Sequence, residues 1–195
     1  MIIGNIFPFD QKYKMKVQPN IKPLIADDFD NFFIYLNKQL SHNGKDGSHL
    51  FMPISRTQSI FPDDKRQSFV NGLSLTIGEP GWRRAWIIAN EAKQIIAHVD
   101  LRALSDPCTQ HRTLLGLSVL KEAQGKGHGE ALTKFAIDWV KDNEILEIID
   151  LSVLSKNMPA IKLYEKLGFI KHCEIKDMFR IDGQSESHII MSKTV

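Results

Sequence analysis

The stretch Gln124-Gly125-Lys126-Gly127-His128-Gly129 separates an apolar run ending at Leu120 from a segment, Gly129 to Asp142, in which Leu132, Phe135, Ala136, Trp139 and Val140 recur at helical spacing. Glycine lets a backbone approach a ligand closely. The first N–H groups of a helix, unpaired and at the positive end of its dipole, attract phosphate oxygens. The loop therefore reads as a candidate phosphate cradle built from the backbone of Gly125, Lys126, Gly127, His128, Gly129 and Glu130. Two nucleotide motifs fail on spacing. A Walker loop requires Ser or Thr after Gly-Lys, and a dinucleotide fingerprint requires glycine where Glu130 stands. For six residues taken alone, a glycine-rich turn without a ligand is an equal alternative.

A second cluster, Asn157-Met158-Pro159-Ala160-Ile161-Lys162-Leu163-Tyr164-Glu165-Lys166-Leu167-Gly168-Phe169, opens a further helix, with Asn157 as its cap and Gly168 just past its end. The two segments together resemble the GNAT superfamily of acyl-CoA N-acyltransferases. Gln124, Gly127 and Gly129 match that family's first motif, and Asn157, Ala160, Leu163, Tyr164, Gly168 and Phe169 match its second, in order and spacing. The resemblance runs from about Ile95 to the C-terminus; residues 1–75 are far less specific.

The resemblance implies a GNAT-like fold and an N-acetyltransferase moving acetyl from acetyl-CoA to a primary amine by direct attack. It implies that the pyrophosphate lies on the Gly125–Glu130 amides, with Gln124 also among the cofactor-binding residues, and that pantetheine adds like a strand beside Leu117, Ser118 and Val119, where two strands splay. It places a thioester-holding N–H near Val119, a thiolate-protonating hydroxyl on Tyr164 and a cofactor-steadying amide on Asn157. Without the family, Tyr164 reads as an amphipathic ring at a helix surface and Asn157 as a cap. One position departs from the pattern: many relatives carry a glutamate where this chain has Ser152. His98, Asp100, His111 and Asp150 remain as candidate bases, as does a water relay. The missing glutamate keeps open an acyl-CoA-binding sensor or regulatory module with little catalysis.

These segments must be positioned by a mixed sheet. The runs Ala85–Ile88, Ile95–Leu104 and Leu114–Leu120, divided by turn signals, predict an antiparallel meander. Ile145–Leu154, Phe169–Arg180 and Ser187–Ser192 supply further strands, the last two joined through Asp182-Gly183. A strand over Val17–Ile25 precedes a helix capped by Asp27 or Asp28, with Phe29, Phe32, Phe33, Leu36 and Leu40 on one face. A second helix follows Asp63-Asp64, and the turn-rich stretch Ser41–Pro62 between the two is a candidate substrate-side lid. The fold class is α/β (α+β): one domain, residues 15–195, with a mixed, mostly antiparallel central sheet flanked by helices and residues 1–14 as an N-terminal extension.

Composition narrows the partners. At 195 residues a second full domain has little room, and a net charge of +2 offers no field for nucleic acid or anionic lipid. No stretch of 18 apolar residues could span a membrane, and no metal-ligand spacing stands out. Cys108 and Cys173 are too few for a disulfide framework; they read as packing residues in a cytoplasmic protein. Lys65-Arg66 and Arg83-Arg84 read as solvated faces. Acetyl-CoA and an unidentified amine acceptor are the expected partners, with a homodimer through the final strands as an option.

Overall fold

The computed structural model describes residues 21–58 and 60–195. The proposed extension over residues 1–14 and the first part of the Val17–Ile25 strand lie outside the described residues. Seven strands form one sheet: β1 (Ile21–Pro23), β2 (Arg83–Ala89), β3 (Ile95–Arg102), β4 (Arg112–Val119), β5 (Ile148–Leu154), β6 (Ile170–Ile181) and β7 (Gln184–Thr194). Their spatial order is β1-β2-β3-β4-β5-β7-β6, and every pairing is antiparallel except β4 with β5. The helices are α1 (Phe29–Ser41), α2 (Asp63–Ser74), α3 (His128–Lys141) and α4 (Met158–Lys166). The meander, the crossover helices and the final hairpin thus stand where the sequence periods place them. The entry to α1 differs, because Ala26–Asp28 forms a short 3-10 turn. The Asp28 carboxylate accepts from Lys22 Nζ at 2.8 Å rather than capping α1.

Strand alternation divides the sheet into two cores. Trp86, Val99, Leu101, Leu115, Leu151 and Met191 pack under α3 and α4, against Leu132, Phe135, Ala136 and Trp139. On the opposite face Phe32, Tyr35, Leu36, Phe69 and Leu73 of α1 and α2 cover Ala85 and Ile87.

The second face also carries a buried polar chain. Asp100, buried on β3, accepts from Arg83 at 2.6 Å and from Arg102 at 2.8 Å. Burial opposes its charge, yet the two guanidinium groups hold its carboxyl below the usual range. The carboxylate lies against Gly116, where a Cβ would come within 2.2 Å of Oδ1, so only glycine fits β4 at that rung. Arg83 also stacks on Phe69 at 4.1 Å, and Arg84 donates to the Leu73 carbonyl at 3.3 Å. The expectation that Arg83-Arg84 form a solvated face is therefore corrected: both are spent on internal contacts. Cys108 and Cys173 depart from expectation in the other direction, since both are exposed free thiols, in a turn and on the edge strand β6.

His98 lies next in the chain, its Nδ1 at 3.0 Å from the Tyr35 hydroxyl, which donates to the Ser118 carbonyl at 3.0 Å. Burial pulls the imidazole down to about 4 despite the nearby Asp100. The folded state thus holds His98 neutral while the unfolded chain takes up a proton below about 6.5. Stability should therefore fall as pH drops from about 6.5 towards 4, by up to roughly 3 kcal/mol for this one group. Denaturant melts at pH 7 and pH 5 should show a smaller difference for His98→Asn than for the parent; equal differences would refute the buried neutral ring.

Candidate active site

The parallel ladder between β4 and β5 is short. Arg112, Thr113 and Leu114 pair with Ile148, Ile149 and Asp150, and beyond that rung the strands separate, although β4 runs on to Val119 and β5 to Leu154. A staple crosses the ladder diagonally from its first rung to its last: Arg112 donates from Nε to Asp150 Oδ2 at 2.7 Å and from an η nitrogen to Oδ1 at 2.6 Å. A bidentate arginine on a carboxylate fixes both position and orientation.

Past the staple, β4 keeps β3 as its one strand partner among the described residues. The Leu120 N–H donates to the Ile96 carbonyl at 2.8 Å, which sets the alternation along this antiparallel pair. Ser118 and Gly116 turn their backbone groups toward β3, while those of Leu117 and Val119 point into the split. Gln124 donates from Nε2 to the Val119 carbonyl at 3.1 Å, tying the glycine loop back to the end of the free edge. From α1, Gln39 donates to the Ser118 hydroxyl and Tyr35 to its carbonyl, so the unsupported half of β4 is held from behind.

The glycine loop opens directly onto this edge. Gly125 and Gly127 adopt left-handed conformations, with φ of +73° and +82°, and a Cβ on either would meet nothing within 4 Å. Gly127 is the N-cap of α3, whose first backbone bond runs from the Ala131 N–H to the Gly127 carbonyl. The amides of His128, Gly129 and Glu130 are thus left without helical partners. A Cβ on Gly129 would lie 3.4 to 3.8 Å from Leu163, Leu117 and Val119, so α3, α4 and the free edge converge there. Lys134 and Lys166 each bond the Glu130 carboxylate at 2.7 Å and hold its pKa at about 2. The two lysines offset that negative charge beside the helix N-terminus.

Tyr164 sits on α4, ring buried, with Phe169 edge-on at 5.7 Å between centroids. Burial pushes its hydroxyl well above the ordinary tyrosine value, and the hydroxyl has no hydrogen-bond partner among the described residues. The surface-ring alternative fails on this burial. Asn157 caps α4 by accepting from the Ala160 N–H at 3.4 Å.

The candidate bases fare differently. Asp100 and Asp150 are each committed to arginines. His111 stands before the opposite end of β4, eight residues and roughly 26 Å of strand from Val119. His98 is buried behind the sheet. Ser152 is exposed on β5, beyond the staple. The stretch after α1 is pinned: buried Asn43 accepts from the amides of Phe51 at 2.9 Å and Met52 at 3.0 Å. Farther along, Ser55 Oγ and Arg56 N donate to Asp182 in the β6–β7 turn at 2.6 and 3.0 Å. Sequence reasoning missed the Arg112–Asp150 staple, for which an isolated acid inside an apolar strand was the available signal.

Residues 54–169 match the family described as the acetyltransferase (GNAT) family. The structure superposes on a GNAT-family acetyltransferase from Streptococcus pneumoniae with a TM-score of 0.73, at 20% identity over 90% of this chain and 98% of that one. It is also similar to a putative acetyltransferase from Salmonella typhimurium solved with its cofactor acetyl-CoA, with a TM-score of 0.72, 15% identity, and 89% and 92% coverage. A mycothiol acetyltransferase from Tsukamurella paurometabola is 33% identical over 69 residues, 35% of this chain. The chain spans only 23% of that relative's length. With the family pattern matched across more than half of its residues and the fold reproduced over nearly all of it, the chain belongs to the acetyltransferase (GNAT) family.

Proposed function

We propose that this protein transfers an acetyl group from acetyl-CoA to a primary amine by direct attack. The observation that carries this reading is the split between β4 and β5, with an unpartnered strand edge on one side and an open glycine-capped helix N-terminus at its end. The donor group fits: left-handed Gly125 and Gly127 leave open space where an anion can meet backbone N–H groups. When bound, acetyl-CoA supplies an activated acyl group. The Leu117 and Val119 backbone would pair with its extended arm, and the Val119 N–H would donate to the thioester carbonyl. Asn157 would steady that arm.

Tyr164 is the candidate acid. Its raised pKa keeps the proton on the hydroxyl at neutral pH, available for a departing thiolate. With Asp100 and Asp150 paired, the amine proton leaves through solvent or through a group on the acceptor side.

Initial rates of thiol release with acetyl-CoA and a panel of primary amines test the reading; binding without release on any amine would leave a sensor in its place. Tyr164→Phe should bind acetyl-CoA normally and lose roughly a hundredfold in kcat. An unchanged kcat would remove Tyr164 from the reaction. At Gly127, Asn and Asp strain the left-handed backbone alike, but only Asp adds charge. Gly127→Asp should therefore bind acetyl-CoA roughly tenfold more weakly than Gly127→Asn in calorimetric titration. Equal affinities would contradict the phosphate cradle.

A further inference from the structure

Among the described residues, Glu186 is the one carboxylate on the acceptor side of the split that is buried and only half satisfied. It lies on β7, opposite Phe179 in register, and is 3% exposed. Its Oε1 accepts from Lys156 Nζ at 2.9 Å, and Lys156 itself is exposed. Its Oε2 is buried with no hydrogen-bond partner among the described residues. A buried acceptor left unpaired costs on the order of 1–3 kcal/mol, more when charged, so such an atom calls for a ligand.

Its surroundings specify which ligand. Leu154 ends β5 on the open side of the split, and its side chain lies on the face covered by α1 and α2, as do those of Ser152 and of His188, its partner in register. Leu154 clusters with Leu50, Ile181 and Phe179, the residue paired with Glu186. Leu50 belongs to the pinned segment after α1, where Ser48 Oγ is likewise buried and without a hydrogen-bond partner among the described residues. An apolar wall, a carboxylate oxygen lacking a donor and the end of the split β-strand are thus adjacent. Lys156 already neutralises Glu186, which favours an acceptor that arrives as an N–H donor able to shed its own charge.

We propose that Glu186 is the acceptor anchor: its Oε2 accepts an N–H of a primary amine whose apolar stem lies against Leu50, Leu154 and Phe179. This rests on the acetyltransferase reading, and the test separates the two. Acetyl-CoA affinity and initial rates with 2-phenylethylamine are measured for the parent, Glu186→Gln and Lys156→Ala. Glu186→Gln should leave acetyl-CoA affinity unchanged and raise the amine KM about tenfold. Lys156→Ala removes an exposed competing cation and should lower that KM roughly threefold. Opposite signs are not what a merely structural pair would produce, and Lys156→Ala alone decides if Glu186→Gln does not fold. An unchanged KM, shifts of the same sign, or a parent that binds acetyl-CoA without acetylating 2-phenylethylamine overturns the anchor. A parent that does not bind acetyl-CoA overturns the acetyltransferase reading and the anchor with it.

Discussion

Everything functional in this fold depends on where the β4–β5 ladder stops. A parallel pair inside a mixed sheet would ordinarily zip to its end, because unpaired strand edges are costly when buried. Here the Arg112–Asp150 staple locks the first rungs, and the strands diverge from the next residue onward. The cost of the exposed edge is limited by supports behind it. Ser118 is bonded through both its carbonyl and its hydroxyl by α1, and the Asp100 carboxylate fills the space that a side chain at Gly116 would need. Gln124 closes the end of the edge. The result is a half-strand held from behind, with backbone groups of Leu117 and Val119 facing an opening, the template proposed above for an extended ligand.

The glycine loop, α3 and α4 are arranged around that template. Gly129 lets the start of α3 approach within van der Waals distance of Leu117, Val119 and Leu163, so the loop's free amides and the edge form one continuous surface. Electrostatics follow the same plan. Glu130, the one acid in the first turn of α3, is held by two lysines, leaving the helix N-terminus receptive to an anion.

Much of this was legible in the sequence, and for physical reasons. The period change at Gly129 marks a strand-to-helix junction, and the glycines mark a backbone open to close approach; Gly125 and Gly127 have open space around them, and the structure adds that both are left-handed. What could not be read is whatever depends on pairing between distant segments. The pairing of Arg112 with Asp150 spans 38 residues, and that of Tyr35 with Ser118 spans 83. Distant pairing changes the reading of two positions: Asp150 looked like a base and is held by Arg112, and Arg83 looked solvated and is half-buried, paired with Asp100. Glu186 gives no local signal because a half-satisfied carboxylate is defined by what fails to reach it.

The central claim is that the Leu117 and Val119 amides form the donor-binding edge. Residue-resolved hydrogen exchange on the free protein and on its mixture with acetyl-CoA tests it most directly. The Leu117 and Val119 amides should exchange rapidly alone and become protected with acetyl-CoA, while the Ser118 amide, turned toward β3, stays protected in both. Equal protection of Leu117 and Val119 with and without acetyl-CoA, at a concentration where the protein binds it, would contradict the account.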